Sequence, residues 1–345
     1  MSLKSVNLVL KIGSLLALTP AKIKKNRVLF PSKAYAFFWI ILFLTGVSVS
    51  AFYRKALYEE YSTIRIILQV ATDIILLILN ISTIVITRIK KHQWNKFIRI
   101  LQTLKSNKES FSFLPFFITN VVLMIMLTYE TYLWSSIMGV EYYEMYAVEY
   151  FQTYAQFIVY YLIYAFLNLI LDRAENLSKK VSFLKLNRLN FNLKKIIKSD
   201  FCALAECLDT FNDIFGWLIL LLIGFCLLQQ LTYLHNLIIQ PEIQEVKIII
   251  YEIIYITWHM VGTFSSVFIC DLIQQKVRNI ETAASSSDEN EFKESKKLRN
   301  VIVNDHFPHF TAAQFFDLNR KTILGVFNAL VTFVIVAIQF DSVGV

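Results

Sequence analysis

Apolar positions along this chain gather into seven long runs, separated by polar stretches. The runs are Tyr35–Phe52, Ile64–Ile86, Phe113–Trp134, Val148–Leu171, Phe215–Ile239, Ile248–Ile273 and Thr322–Phe340. A helix needs ~20 largely apolar residues to cross ~30 Å of hydrocarbon, and each run has about that length. Polar residues interrupt several of them, as in helices that pack on one another or line water rather than facing lipid all round. Helical spacing also appears outside the runs. Leu177, Val181 and Leu184, then Leu193, Ile196, Ile197, Phe201 and Leu204, recur at three-to-four intervals. Spans four and five are therefore expected to continue beyond the membrane as helices and to pack there. Near the start, Val6–Leu18 is apolar, with Lys4 before it. A signal peptide is the alternative reading. Lys11 interrupts the region and no small-x-small cleavage site follows, so a short helix lying at the inner membrane face is expected. Ser285–Asn290 (SSSDEN) reads as a flexible break.

Composition sharpens the class. Hydrophobic residues make up 56% of the 345 and charged residues 17%, where soluble domains average ~45–50% and ~25%. Mean hydropathy is +0.52. Disorder, coiled coil, collagen and disulfide scaffolds are excluded, and a soluble enzyme is disfavoured. The fold class expected is an all-α polytopic membrane protein with seven transmembrane helices.

The net charge of +8 then becomes informative through its placement. Of the 34 Lys and Arg residues, thirty fall in alternate segments on one side of the predicted membrane and four on the other. Basic residues accumulate on the cytoplasmic side, which predicts a cytoplasmic N-terminus and an extracellular C-terminus; the location expected is the plasma membrane. An odd number of spans requires the two ends to lie on opposite sides, which agrees with this charge bias. The outer loops are short and carry Glu59, Glu60, Glu141, Glu144, Glu242 and Glu245. The basic excess thus marks the inner membrane face and implies no nucleic-acid partner. The expected organisation is a cytoplasmic N-terminal segment over residues 1–34, helices one to six over 35–273 with cytoplasmic extensions at 172–214, a cytoplasmic segment over 274–321, and the last helix with a short outer tail over 322–345. Cys202 and Cys207 fall on the reducing side and Cys226 and Cys270 inside spans, so no disulfide is expected. The sequons at Asn80 and Asn176 lie in a span and a cytoplasmic loop, and neither should be glycosylated.

Several chemistries find no support. Asp305-His306-Phe307-Pro308-His309 places two histidines three apart near an acid, a weak metal signal. Pro308 spoils the regular helix and no third strong ligand is local, so a turn before a helix is the simpler reading. No G-x-S-x-G, P-loop or H-E-x-x-H occurs, and no enzyme activity, metal or cofactor is expected. A transporter would be expected to show paired repeats with broken helices, and none is evident. A G-protein-coupled receptor would place its N-terminus outside, usually with an outer disulfide, and neither a DRY triplet nor NPxxY is present.

The last span carries the sharpest pattern. At 100° per residue, Gly325, Asn328, Thr332, Val336 and Gln339 fall within ~40° of Thr332. This narrow stripe of small and polar residues faces away from Val326, Leu330, Phe333 and Val334. A buried amide in hydrocarbon is costly unless satisfied. The stripe therefore faces neighbouring helices, which pack well through small residues, or water. Spacing alone does not choose. If four copies assembled symmetrically, the stripes would ring a water-filled axis, and Gln339 would set an amide ring near its outer mouth. Val336 or Phe340 would close such a pore by dewetting.

Thr332 to Phe340 (TFVIVAIQF) resembles the signature of insect gustatory receptors, Thr-Tyr, five apolar residues, Gln-Phe. The preceding Phe315-Phe316-Asp317-Leu318-Asn319-Arg320 is also similar to that family's run into its last helix. The resemblance extends to seven inverted spans, long inner loops and a near-absent outer tail. It implies a ligand-gated, non-selective cation channel assembled as a homotetramer or with related subunits, its last helix lining the pore and its cytoplasmic extensions forming a shared anchor. By motif position Gln339 and Phe340 would constrict the pore, although Phe340 lies ~80° from Thr332 on the wheel. Phe333 stands where Tyr is usual, and Val334 where sugar-receptor members tend to carry an acid, which turns the expectation toward a bitter or other non-sugar tastant.

A ligand pocket between membrane helices should be concave and mostly apolar, with few polar groups. In the outer halves of helices two to six the candidates are Asp73, Tyr129, Glu130, Gln152, Gln156, Tyr255, Trp258 and His259. Intramembrane acids such as Asp73 and Glu130 default to a functional reading, whereas the aromatics also suit ordinary packing or an interfacial belt. The alternative to a channel is a non-channel receptor or structural relative signalling through cytoplasmic partners, in which the stripe of the last helix is buried against the chain's own helices.

Overall fold

The computed structural model describes residues 3–24, 27–104, 113–186, 191–239, 246–285 and 307–342. Within these the chain is almost wholly helical: α1 (Leu3–Ser14), α2 (Lys33–Tyr53), α3 (Lys55–Glu60), α4 (Thr63–Ile89), α5 (Lys91–Thr103), α6 (Leu114–Met138), α7 (Glu141–Leu186), α8 (Phe191–Ile239), α9 (Val246–Ser285) and α10 (Arg320–Ser342). Six of these, α2, α4 and α6 to α9, are long and apolar enough to cross a membrane. The 23-residue α10 covers the seventh predicted run.

Helix ends follow local chemistry. The hydroxyl of Ser32 accepts the Tyr35 amide at the start of α2, and Ser62 accepts the Arg65 amide at the start of α4, each satisfying an otherwise orphaned N–H. Pro115 sits in the first turn of α6, where a missing N–H costs nothing. Gly139 ends α6 at φ 72°, a left-handed conformation that glycine adopts without a Cβ clash. Glu141 and Glu144 then open α7 at the positive end of its dipole.

Spans four and five do run on past the apolar core. α7 reaches Leu186 and α8 begins at Phe191, and Lys180 meets Asp200 at 2.7 Å between the two extensions. α7 is the central post, touching α1, α2, α4, α6, α8 and α9. The basic stretch between spans two and three forms α5, a helix not anticipated from the polar composition there. Its Trp94, Phe97, Ile98 and Leu101 are buried at three-to-four spacing, a signal that was legible. With Phe166 of α7 and Phe211 and Phe215 of α8 they build an aromatic core. Its ring centroids lie 5.0 Å apart for Phe97–Phe166 and 4.9 Å for Phe211–Phe215.

The N-terminal helix is present as α1. Its apolar residues Val6, Val9 and Leu10 are buried in the protein core, and the helix lies against α7. That face is therefore taken up by protein rather than by lipid headgroups. A short hairpin follows, Lys22–Lys24 with Arg27–Leu29, pinned to α5 where Asn95 Oδ1 accepts the Val28 amide at 2.9 Å.

A second hairpin, Thr311–Ala312 with Phe316–Asp317, precedes α10. The segment Asp305–His309 was expected to be a turn before a helix. Asp305 and His306 lie outside the described residues, as does most of the expected break at Ser285–Asn290. His309 leads into the hairpin, its carbonyl accepting from Asn212 Nδ2 at 2.7 Å. The hairpin turns through Ala313 and Gln314 at φ 51° and 65°, each costing about 1 kcal/mol or more outside glycine. Docking against α8 holds it. A Cβ on Gly216 would come within 3.1 Å of the Ala313 amide nitrogen and 3.3 Å of the Thr311 carbonyl oxygen. Gly216→Val is therefore expected to cost about 1–3 kcal/mol and to raise amide hydrogen exchange over 311–318 by more than over α8. Unchanged exchange there would refute the docking role.

Candidate functional site

Two features of the bundle bear on function: the outward face of α10 and two cavities between α4 and α9. On α10, Val326 and Leu330 are buried against the bundle. Gly325, Asn328, Thr332, Val336 and Gln339 are all exposed. The polar stripe thus points away from the chain's own helices, and Thr332 satisfies its hydroxyl locally by donating to the Asn328 carbonyl at 2.8 Å. Phe340 continues the helix, its side chain lying outside what the structure describes. Arg320 ties the base of α10 to Asp271 of α9 at 2.7 Å.

The larger cavity, about 310 Å³, lies between α6, α7 and α9 near the middle of the α7 and α9 spans. Gln156, Trp258 and His259 of the sequence-predicted set line it, joined by Phe157, Tyr160, Tyr161 and Tyr164. The smaller, about 100 Å³, lies toward the α6–α7 turn and is polar. Glu130 lines it with Arg65, Gln69, Trp134, Glu149, Tyr233 and Glu252. Tyr251 donates to Glu130 Oε2 at 2.7 Å, and the hydroxyls of Tyr142 and Tyr150 bond each other. Tyr255 lines neither cavity. It stands between them, its ring 5.1 Å from Tyr233 and 4.6 Å from His259.

The remaining candidates are placed elsewhere. Asp73 is held by Arg54 in a bidentate pair, Nη2–Oδ2 at 2.8 Å and Nη1–Oδ1 at 3.4 Å. Glu149 completes the group, 3.5 Å from Arg54 Nη1. The acid that looked functional by location is thus committed to a buried ion pair. Tyr129 is 42% exposed on the outside of the bundle, its ring 6.0 Å from that of Tyr251. Gln152 is buried beside neither cavity. Sequence reasoning missed Glu149 and the tyrosines of α7. Tyr142, Tyr146, Tyr150 and Tyr154 recur every four residues, a helical face that was readable but that packing alone also explains.

Long apolar helices around a central α7, with cavities between them and an uncovered polar face on the last, define a polytopic helical membrane protein. The family model for 7tm chemosensory receptors matches residues 6–344. The chain belongs to that family. Among solved structures its fold is similar to that of the insect olfactory receptor OR5 from Machilis hrabei, with a TM-score of 0.69 and 10% identity over 98% of this chain and 97% of that one. The same receptor in complex with eugenol matches with a TM-score of 0.69 and 11% identity over the same shares. At such identity the likeness is one of fold. No curated protein is detectably similar in sequence.

Proposed function

We propose that the chain is a subunit of a ligand-gated cation channel of gustatory type, responding to a bitter or other non-sugar small molecule. The observation that carries this reading is the uncovered stripe of α10. Within that stripe the exposed Asn328 amide would be costly against hydrocarbon, since an amide moved into an apolar medium without a partner costs roughly 2–7 kcal/mol. Four copies around an axis give the stripe water. The non-channel reading expects the chain's own helices to cover it, and among the described residues they leave it exposed. In the proposed assembly the N-terminal residues 1–34 are cytoplasmic, the protein sits in the plasma membrane, and the helical extensions at 172–214 with residues 274–321 form the inner anchor. Gln339 and Phe340 narrow the pore lined by Val336, Thr332 and Asn328. The ligand occupies the bundle of residues 35–273, where Gln156, Trp258 and His259 face the larger cavity and Glu130 the smaller, while Asp73, Tyr129, Gln152 and Tyr255, proposed as contacts from the sequence, line neither. Family membership and the eugenol complex of the Machilis receptor favour a small organic ligand.

Currents recorded from cells expressing the chain with no added G protein test the reading. Ligand-evoked cation current is expected, and Gln339→Ala is expected to change relative permeability or single-channel conductance about twofold or more, as removal of a polar group from a constriction should. Current that depends on G-protein signalling, or permeation indifferent to Gln339, would sink it. Images of the solubilised particle should show fourfold symmetry.

A further inference from the structure

The larger cavity carries more information than its volume. Its walls are mostly carbon, yet three buried polar side chains among its lining residues have atoms with no partner among the described residues. Gln156 is 1% exposed, and neither its amide oxygen nor its amide nitrogen has a partner. The Tyr161 hydroxyl and His259 Nε2 are likewise unpaired. On the same wall Tyr160 is satisfied, donating to the Leu222 carbonyl at 3.1 Å and meeting Thr263 Oγ1 at 3.2 Å. Buried polar groups are nearly always paired, and each exception costs roughly 1–3 kcal/mol. Three exceptions around one cavity point to a molecule that would complete them.

The cavity's mouth says where that molecule comes from. On α9, Val261 is 62% exposed, and a Cβ built on Gly262 would meet nothing within 4 Å. Both residues line the cavity together with Thr119 and Leu123 of α6. They lie within apolar spans, beside exposed Ile118 and Val122, so the opening faces the bilayer and not water. No Asp, Glu, Lys or Arg lines it, so an ionic ligand would go unpaired.

We propose that this cavity takes a neutral, flat, largely apolar molecule bearing one hydroxyl or carbonyl, which partitions into the bilayer and enters between α6 and α9. Gln156 offers it both a donor and an acceptor, His259 and Tyr161 a second polar contact, and Phe157 and Trp258 a ring surface. The inference deepens the receptor reading and rests on it only for the coupling of binding to current.

The test uses the purified full chain in lipid nanodiscs, with naphthol and naphthalene as probes of nearly equal shape. Affinity is read from ligand-induced thermal stabilisation. Naphthol is expected to bind about tenfold tighter than naphthalene, the size of one well-made buried hydrogen bond. Gln156→Leu, close in volume, should reduce that preference to less than about threefold while naphthalene binding persists. Gly262→Phe should slow association of both probes. His259→Phe serves as a second polar variant should Gln156→Leu fail to fold. Equal affinities in the wild type, a preference unchanged by both polar variants, or association indifferent to Gly262→Phe would each overturn the proposal. Selective binding without current would leave it standing and defeat the channel reading. Current without selective binding would do the reverse.

Discussion

Replacing Arg54 with methionine is expected to destabilise the folded chain by about 3–5 kcal/mol, the usual cost of removing one partner from a buried ion pair. Arg54 sits at the α2–α3 junction and is 2% exposed. It stands against two carboxylates, Asp73 and Glu149, 2.8 and 3.5 Å from its guanidinium nitrogens. Gln69 Nε2 gives Glu149 one further bond at 3.4 Å. Without the guanidinium two acids would remain close together in an apolar bundle. The expected readout is a large fall in thermal midpoint in detergent. Asp73→Asn combined with Glu149→Gln should recover most of it in the methionine background, because neutral amides remove the repulsion. A methionine variant as stable as the wild type, or no recovery, would refute the assignment. The cost is one of an unpaired charge, so an all-neutral site is expected to approach wild-type stability rather than exceed the loss.

Phe211→Ala should cost a similar 3–5 kcal/mol for a different reason. The Phe211 ring is fully buried. It lies 4.9 Å from Phe215, 6.2 Å from Phe97 and 5.5 Å from Phe310. Truncation would open a cavity at the meeting point of α5, α8 and the segment leading into the hairpin before α10. Phe310 lies ten residues before the start of α10, so loss of the ring is expected to loosen the base of that helix as well. Thermal unfolding reads the first effect and hydrogen exchange over 307–318 the second. Phe211→Leu should lose markedly less, since most of the volume is kept. A fall below about 1 kcal/mol for the alanine variant would show that the cluster relaxes into the space.

The helical elements were largely legible in the sequence. All seven apolar runs coincide with helices, and the extensions of α7 and α8 follow the spacing of Leu177, Val181, Phe201 and Leu204. Two helices escaped: α5, hidden by the basic residues of its outer face, and the six-residue α3 in what was expected to be an outer loop. The two hairpins escaped for another reason: neither carries the Asn-Gly or Asp-Gly signal that marks a tight turn. The turn at Ala313–Gln314 depends instead on Gly216 of α8, which is far away in sequence.

The site was legible in part. The stripe on α10 was visible as periodicity, but periodicity cannot say whether a polar face meets its own bundle or looks outward. Burial of Val326 and Leu330 answered that. Among the ligand candidates, Asp73 was singled out because an intramembrane acid is costly. The cost is real, and Arg54, nineteen positions earlier and at the end of a different helix, meets it. Gln156 and His259 come together across α7 and α9 at a separation of about a hundred residues, and no local pattern joins them.

What this chain's sequence determined by itself was its solvent and its segments: which stretches are apolar enough for lipid, which of them continue in helical spacing, and how the basic residues divide between alternate loops. These depend on transfer free energy and short-range spacing, which act residue by residue. Only the tertiary structure decided which polar groups are spent on one another and which stand unpaired beside a cavity. Such pairing depends on distances between helices, and the order of residues along a chain does not specify those distances.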